Sequence, residues 1–477
     1  MEKNRSLKII AHLFFLVMLV FAGRYYLERM LFADGSFYIF KMTCFRTFII
    51  EAGRYSAILT QAIPLALIRM HATLRTVILG YSLSFILVYY LFFLLATYGF
   101  GSLKAGLAAT LVLVLGVSDS AMYPVSEMQL GLLSSILFYA FTEYYFLHSV
   151  SFSKRKRLWL LFTGTILIFL CMFSHPSTLF AVIFILAFQA VDKGVHRKRD
   201  FWLFILVAAI IFGAKFLSIH RNSYEGHQLA PANDLLSTLS HFTSIYSVHF
   251  FVKYISKGIY ILPFILLLLL FAWYRYRRDY AKLLFQLAAF SGFFIILMIL
   301  FAPGDSDAGM EKNLLPLWLF VAIPFAHDLL LDSHLKKNVR WLLYVAVILA
   351  GFAGIHRAMV IHTNRIAYVK ELLEAAHKQS GAAKFIIACN DVNQDKLPST
   401  WSIANESLLL SSISGPLNSK TIYLVDDTAK LPAFASPPPD VFISVSFWPL
   451  WNYKLIDTLY FGLPKQPYEL VKGPLPK

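Results

Sequence analysis

Runs of about 20 mostly apolar residues recur along this chain and constrain its fold more than any other feature, because one such run forms a helix that crosses a bilayer. The chain of 477 residues is 58% hydrophobic and only 15% charged, whereas soluble globular proteins are about 25% charged. These values exclude a disordered chain, a collagen-like repeat and an ordinary cytosolic enzyme. The runs lie at 8–23, 73–97, 104–123, 128–148, 158–174, 176–192, 201–218, 258–273, 283–301, 314–331 and 341–358. The pattern predicts an all-α polytopic membrane protein with eleven transmembrane helices.

The basic residues are concentrated in the short segments between alternate runs. If the N-terminus is cytoplasmic, the inner segments hold 19 Lys and Arg against five Asp and Glu, and they are 1–8, 98–104, 149–157, 192–200, 274–282 and 332–340. Loop 119–127 on the other side has two acids and no basic residue. Lys and Arg favour the cytoplasmic side, so the net charge of +16 reports topology and not a nucleic-acid partner. The C-terminus is expected outside.

Three further segments have their own character. The first run follows basic residues as a signal peptide does, but no small-residue cleavage site comes after it, so we interpret it as a retained anchor. The first outer region, 24–72, is interrupted by Gly35, Gly53 and Pro64, and short helices along the membrane surface are expected there. The three cysteines are too few for a disulfide scaffold and form no CxxC motif.

After residue 358 the composition changes. Residues 367–379 are predicted to be helical, and strands are predicted at 384–388, 421–425 and 441–445. Short strands alternating with helical stretches indicate a small α/β domain. We therefore expect two domains: a transmembrane domain at 1–358 and an extracytoplasmic α/β domain at 359–477.

Ionisable residues at the outer ends of the predicted helices are the candidates for function, because a charge at membrane depth is costly and is usually retained for a purpose. Acids there can activate a hydroxyl or hold a metal ion, and cations can hold a phosphate. The candidates are Asp34, Glu127, His175, Lys215, Arg221 and Lys312. In the predicted topology they share one side and one depth, which indicates a site.

Simpler structural roles stay open for each candidate. Asp34 and Glu127 are also placed to cap helices, His175 before a proline is also typical of a polar turn, and Lys215 is able to extend its ammonium to the interface. Asp305-Ser306-Asp307 has the DxD pattern of soluble nucleotide-sugar transferases. However, it lies in a glycine-containing loop with no strand before it.

The order of the motifs resembles that of a known family. An N-terminal run is followed by an outer acid with aromatics in Asp34-Gly35-Ser36-Phe37-Tyr38, and Tyr55 comes next, in Gly53-Arg54-Tyr55-Ser56. Glu127 then opens the fourth run in Tyr123-Pro124-Val125-Ser126-Glu127-Met128. The later motifs are Phe173-Ser174-His175-Pro176 and Lys312-Asn313-Leu314-Leu315-Pro316. Over roughly 8–330 this pattern resembles the GT-C fold, the polytopic glycosyltransferases that use polyprenyl-phosphate-linked sugars, including bacterial mannosyl- and aminoarabinosyl-transferases.

The resemblance implies a transferase of the bacterial inner membrane that moves a sugar to a lipid, glycan or protein acceptor on the outer face. Asp34 and Glu127 would be catalytic. The substrate-binding residues would be Tyr55, His175, Lys215, Arg221 and Lys312. No cofactor is certain, and a divalent metal is left open, since Gly35 replaces the second acid of the family's first motif.

Two other classes of function stay open at this point. A non-catalytic scaffold for envelope assembly would keep the fold without the acid pair. A transporter or flippase for lipids or glycans would carry polar residues at the middle of the membrane and matched broken helices in two halves. The predicted spans are nearly free of charge at mid-depth, and the chain has no evident internal repeat.

Overall fold

The computed structural model describes residues 4–116, 121–219, 226, 235–256, 261–301, 307–332, 334–397, 399–426, 438–445, 448–471 and 475–476. The described chain is mostly helical and has a small sheet region at its C-terminal end. This confirms the predicted fold class at the level of a helical protein with a C-terminal region that contains strands.

Each of the eleven apolar runs coincides with a helix, and further short helices lie in the outer regions. In chain order the helices are α1 (Arg5–Arg24), α2 (Tyr26–Met30), α3 (Asp34–Phe45), α4 (Ile58–Arg69), α5 (Leu74–Leu94), α6 (Leu103–Leu115), α7 (Met128–His148), α8 (Lys154–Met172), α9 (Thr178–Lys193), α10 (Arg199–Leu217), α11 (Leu235–Ser240), α12 (Tyr246–Ser256), α13 (Ile261–Arg277), α14 (Tyr280–Leu300), α15 (Asp307–Pro324), α16 (Lys337–Ser380) and α17 (Ile403–Ser412). Two π-helical turns, Leu95–Gly99 and Phe325–Leu330, extend α5 and α15.

Seven segments of the described chain are long and apolar enough to cross a membrane. They are Arg5–Arg24, Leu74–Gly99, Met128–Ser151, Arg199–Leu217, Tyr280–Leu300, Lys312–Leu330 and Lys337–Ser380. Three of the remaining four are short, with 13 residues in α6, 16 in α9 and 17 in α13. The fourth, α8, begins with the basic sequence Lys154–Arg157. Length and composition therefore support seven candidate spans among the eleven predicted helices.

The segments with the predicted basic clusters meet at one end of the helical bundle. Lys104 and Lys193 both reach Glu143 at the end of α7, and Arg157 pairs with Asp200. Lys8 of α1 lies over the Tyr98 ring, in the turn that follows α5. The charge pattern thus corresponds to one physical face of the molecule, as a positive-inside distribution requires.

The first outer region forms short helices, as expected, but α3 does not lie exposed on a surface. Residues Gly35 to Thr43 of this helix are all buried. The ring of Phe40 packs against the rings of Phe442, Trp451 and Phe461 at centroid distances of 5.1, 4.9 and 5.6 Å. Helix α3 is therefore sandwiched between the bundle and the C-terminal region.

The C-terminal region is built around two small sheets. Strands β1 (Lys384–Ala388), β2 (Thr421–Val425) and β5 (Glu469–Leu470) form a parallel sheet in the order β2-β1-β5, with Lys384 opposite Thr421. Strands β3 (Val441–Val445) and β4 (Trp448–Asn452) form an antiparallel pair. Helix α17 connects β1 to β2 and packs against β2. The three predicted strands have the predicted bounds, whereas β4 and β5 were not predicted.

No helix break separates the bundle from the C-terminal region at residue 359. Helix α16 runs for 44 residues from Lys337 to Ser380 and ends where Gly381 adopts a φ of 73°. At 1.5 Å per residue its length is about 66 Å, roughly twice the hydrocarbon thickness of about 30 Å. Its second half packs in the core of the C-terminal region through Tyr368, Val369 and Leu372. The predicted helix at 367–379 is the end of this long helix.

Candidate functional site

The sequence-predicted candidates come from separate segments and meet at the end of the bundle that carries the C-terminal region. Asp34 opens α3, Glu127 precedes α7, and His175 lies in the turn between α8 and α9. Lys215 is in the last turn of α10, and Lys312 lies in the second turn of α15, not at its start. We call these five residues, together with Arg54 and Tyr123, the outer cluster.

The centre of the outer cluster is an ion pair between Arg54 and Glu127. Arg54 Nη1 donates to Glu127 Oε2 at 2.9 Å, and the side chains are 9% and 4% exposed. Glu127 is the N-cap residue of α7 and has a φ of 53°, but its side chain makes no capping hydrogen bond to that helix. Among the described residues, nothing donates to its buried Oε1. This oxygen therefore keeps an unused capacity to accept a hydrogen bond.

The charges around Glu127 act in opposite directions on its protonation. Burial raises the pKa of its carboxyl group, and Asp34 adds to that rise, while Arg54 and Lys312 oppose it. Asp34 and Lys312 therefore both act electrostatically on the buried carboxyl group of Glu127.

Asp34 is half-buried at the first position of α3 and accepts a hydrogen bond from the hydroxyl of Tyr123. Ala33, not Asp34, is the N-cap residue of this helix, and Asp34 lies in its first turn, so the N-cap role is wrong for Asp34. Phe32, Ala33 and Tyr123 form a small apolar cluster with Trp401 beside the carboxylate. Asp34 is thus held by one aromatic hydroxyl and surrounded by apolar side chains.

The backbone around Gly35 leaves no room for a side chain. A Cβ at this position would lie 2.5 Å from the carbonyl oxygen of Met30, a backbone atom that no side-chain rotation can move away. With Glu127 engaged by Arg54 as well, the described residues of the outer cluster do not fit a two-carboxylate metal site. A divalent metal, which stayed open from the sequence, would therefore find no pair of carboxylate ligands at Asp34.

His175 faces the cationic side of the cluster in its neutral form. Burial lowers its pKa well below the ordinary value, and Arg54, Lys312 and Lys215 lower it further. Its Nδ1 accepts the N–H of Ser177 at 3.3 Å. A neutral ring that accepts through Nδ1 carries its proton on Nε2, so His175 can donate one hydrogen bond.

Lys215 is buried, and its ammonium group contacts the first outer region. Its Nζ donates to the carbonyl oxygen of Ala52 at 2.6 Å and lies 5.8 Å from the centre of the Phe173 ring. The ring of Tyr55 also lies beside Phe173, with 5.7 Å between the two ring centres, and Tyr55 is 47% exposed. The first outer region is therefore fastened to α10 beside the cluster.

The outer cluster has an excess of positive charge. Three cations, Arg54, Lys215 and Lys312, accompany the two acids Asp34 and Glu127, and His175 is neutral. Because a buried or half-buried site amplifies electrostatic interactions, this excess favours binding of an anionic group. Arg54 was not predicted as a site residue. A carboxylate buried at a helix end needs a counter-charge, and this requirement is the signal that could have identified an arginine in the first outer region.

Two of the predictions fall on residues outside the described chain. Arg221 lies in the undescribed stretch 220–225, and Asp305, the start of the DxD motif, lies in the undescribed stretch 302–306. Asp307, the last residue of that motif, begins α15, but its side chain is not described.

A second polar cluster occupies the opposite end of the bundle. Asp192, His327 and Asp328 bring potential metal ligands within 4.8 Å of one another. However, Lys282 donates to both aspartates, and Lys104 lies 2.8 Å from His327 Nε2. These ammonium groups already supply the positive charge that a cation would bring. We call this group the basal cluster.

The two clusters are separated by the length of the same helices. Helix α7 has Glu127 before its first residue and Glu143 near its end, a span of about 24 Å at 1.5 Å per residue. Helices α9 and α15 repeat the arrangement, with His175 and Asp192 at the ends of one and Lys312 and His327 at the ends of the other. Residues 128–142, 178–191 and 313–326 between these ends contain no Asp, Glu, Lys, Arg or His. These three stretches therefore carry no charged side chain between the two clusters.

Comparison with known proteins identifies no relative: no family model, no curated protein and no solved structure matches this chain.

Proposed function

We propose that this protein is a membrane glycosyltransferase that moves a sugar from a polyprenyl-phosphate donor to an envelope acceptor on the outer face of a bacterial inner membrane. The observation that carries the proposal is the outer cluster: a half-buried acid, a buried acid with an available oxygen and three cations meet at one end of an apolar bundle. A lipid-linked donor lies in the bilayer with its phosphate at that depth. A nucleotide sugar is not required.

In the proposed reaction Asp34 is the general base. It takes the proton of the acceptor hydroxyl, and the hydroxyl oxygen attacks the anomeric carbon of the sugar. The bond between that carbon and the phosphate oxygen breaks, and the electron pair leaves with the polyprenyl phosphate. The hydrogen bond from Tyr123 holds the Asp34 carboxylate in one orientation, which keeps it ready for proton transfer.

The leaving phosphate gains charge during this step and requires fixed positive groups. Lys215 and Lys312 are the proposed phosphate-binding cations, with the Nε2–H of His175 as a further donor. Arg54 is neutralised by Glu127, so its role is to hold that acid. The available Oε1 of Glu127 is proposed to accept a hydrogen bond from the acceptor and to orient it.

The geometry argues against a transporter or flippase. Such proteins keep substrate sites near the middle of the membrane, at broken helices. Here the ionisable residues of α7, α9 and α15 lie at the helix ends, and about 24 Å of apolar helix separates the clusters. A non-catalytic scaffold would have the same fold, so only the absence of sugar transfer distinguishes it from the proposed glycosyltransferase.

The proposal is tested by assaying the purified protein in lipid nanodiscs with a panel of radiolabelled polyprenyl-phosphate sugars. Total envelope lipid, glycan and protein extracts serve as acceptors. Transfer of label from at least one donor, with release of polyprenyl phosphate in equal amount, is the expected result. No transfer from any donor by protein that is folded and binds donor would favour the scaffold.

Orientation is tested separately in cells. Single cysteines introduced at Ser414 and at Ser151 would be labelled with a membrane-impermeant maleimide, in a background that lacks the three native cysteines. Ser414 lies in the turn after α17 and Ser151 lies between α7 and α8. Labelling at 414 but not at 151 supports an extracytoplasmic C-terminal region, and the reverse pattern contradicts it.

A further inference from the structure

One contact between the C-terminal region and the first outer region is made by a buried carboxylate, that of Glu406. Glu406 of α17 is 1% exposed, and its Oε1 accepts the backbone N–H of Ala33 at 3.1 Å. Ala33 is the residue directly before Asp34. The contact therefore joins the C-terminal region to the backbone that carries the proposed base.

Glu406 is itself fixed by groups from two other segments. Arg365 of α16 donates to both of its carboxylate oxygens, and Ser402 donates to Oε1. The guanidinium of Arg365 also donates to the carbonyl oxygen of Ser399 at 2.8 Å. A carboxylate held by this many donors cannot turn away from Ala33 without breaking a buried ion pair.

Arg365 also touches the loop directly. Its guanidinium lies 4.9 Å from the centre of the Phe32 ring, a distance at which a cation is attracted to an aromatic face. Phe32 and Ala33 are consecutive residues, so the pair of Arg365 and Glu406 holds one by its ring and the other by its backbone.

The backbone at Ala33 needs such support. Ala33 has a φ of 46° and a ψ of −119°, a conformation that costs a non-glycine residue energy and persists only when its surroundings enforce it. Its carbonyl oxygen accepts the hydroxyl of Ser36 at 2.8 Å. Hydrogen bonds thus hold both the N–H and the carbonyl group of Ala33. The backbone of Ala33 in turn sets the direction in which the next residue, Asp34, begins α3.

We infer that Glu406, clamped by Arg365, is a positioning residue that sets the orientation of Asp34, so that the C-terminal region completes the reaction centre. The inference rests on the proposed function in one respect, namely that Asp34 is the base. A misplacement of about 1 Å in a reacting group lowers a rate about 100-fold. Loss of Glu406 is therefore expected to act on turnover and not on donor binding.

The test compares Glu406→Ala with Ser407→Ala in the full-length protein. Ser407 is the next residue on α17; its buried hydroxyl accepts the N–H of Ile422 in β2, so its loss weakens the C-terminal region without touching Ala33. Glu406→Ala is expected to lower kcat about 100-fold and to leave KM for the donor within about threefold. Ser407→Ala is expected to keep kcat within about threefold of wild type.

Hydrogen exchange supplies a readout that does not depend on activity. In Glu406→Ala the amides of residues 33–37 are expected to exchange faster, while β1 stays as protected as in wild type. If Glu406→Ala does not fold, Glu406→Gln replaces it, because the amide matches the side chain in size and lacks the charge that holds Arg365. Its expected effects have the same direction and are smaller.

Three results would overturn the inference. One is an unchanged kcat in folded Glu406→Ala, the second is an equal loss in Ser407→Ala, and the third is unchanged exchange at residues 33–37. Absence of transfer in the wild-type protein with every donor would contradict the proposed function alone. In that case the exchange at Ala33 still decides whether Glu406 holds the loop.

Discussion

Arg54 and Glu127, 73 residues apart in the chain, form an ion pair at the centre of the outer cluster, with Arg54 Nη1 2.9 Å from Glu127 Oε2. Arg54 belongs to the first outer region, and Glu127 precedes α7. The pair therefore ties an outer loop to the bundle. It also leaves one oxygen of Glu127 for another partner.

The first prediction separates the structural role of this pair from its functional role. Arg54→Met leaves Glu127 buried without a counter-charge and is expected to lower the free energy of unfolding by about 3–5 kcal/mol. The double variant Arg54→Met/Glu127→Gln removes both charges and is expected to recover most of that stability. Thermal unfolding in nanodiscs measures both effects. Equal stability of the single and double variants would contradict the pairing.

The same double variant also tests the role of Glu127 in acceptor binding. Because a neutral amide oxygen accepts a hydrogen bond more weakly than a carboxylate oxygen, the double variant is expected to have a raised KM for the acceptor and an unchanged KM for the donor. Wild-type kinetics in a stable double variant would show that Glu127 serves stability only.

The second prediction concerns Gly35. Gly35→Ala places a methyl group against the Met30 carbonyl oxygen, and this overpacking is expected to cost about 1–3 kcal/mol. Because Asp34 precedes it, transfer is expected to fall as well. Gly213→Ala in α10 is the matched control, since a Cβ there has no neighbour within 4 Å, and it is expected to be neutral or stabilising by up to about 1 kcal/mol. Thermal unfolding and transfer assays compare the two, and equal behaviour would contradict the steric explanation.

The third prediction concerns Lys282 of the basal cluster, which bridges Asp192 and Asp328. Lys282→Met leaves two half-buried aspartates without this cation, and we expect a loss of about 1–3 kcal/mol in stability. The transfer rate per folded molecule is expected to stay unchanged, because the outer cluster lies about 24 Å away along the helices. Active-site titration with labelled donor counts the folded molecules. A large fall in the rate per molecule would show that the two clusters are coupled.

The fourth prediction is a pH dependence in the C-terminal region. Lys384 of β1 is fully buried and donates to the carbonyl oxygens of Pro439 and Val441. Burial lowers its pKa from the ordinary 10.5 to about 8. Between these values the unfolded chain binds more protons than the folded one, so stability rises with pH in this window. Below about pH 8 both states are protonated and this slope vanishes.

Pulse proteolysis of the C-terminal region at pH 7.5 and pH 9 measures the effect, with Lys384→Met as the reference that lacks the group. Cys389 has the opposite influence above pH 9, because burial raises its pKa to about 12. The difference between wild type and Lys384→Met removes that contribution. A wild-type chain whose stability falls relative to the variant across this range would contradict the assignment.

The sequence predicted the elements whose formation depends on local composition. Each apolar run became a helix, and strands β1 to β3 have the predicted bounds, because long apolar runs and short β-branched segments are decided mainly by hydrophobicity and propensity. The continuity of α16 through residue 359 was not predicted. The second half of this helix is more polar than the first, and such a change in composition does not end a helix.

The sequence identified candidate site residues only where a single residue is conspicuous by itself. Asp34, Glu127, His175, Lys215 and Lys312 are ionisable groups beside apolar runs, so each is visible in the sequence. Their partners depend on tertiary contacts between distant segments, as with Arg54 and Glu127, or with Ala33 and Glu406, which are 373 residues apart. No local pattern specifies such pairs.

The central claim is that Asp34 removes the acceptor proton, and Asp34→Asn tests it most directly. The amide keeps the size of the side chain and can still accept the Tyr123 hydrogen bond, but it cannot take a proton. The measurement is the single-turnover rate of sugar transfer with donor and acceptor saturating, alongside the donor dissociation constant. The account predicts a rate at least about 100-fold lower with donor affinity unchanged. A rate within about tenfold of wild type in the folded variant would contradict it.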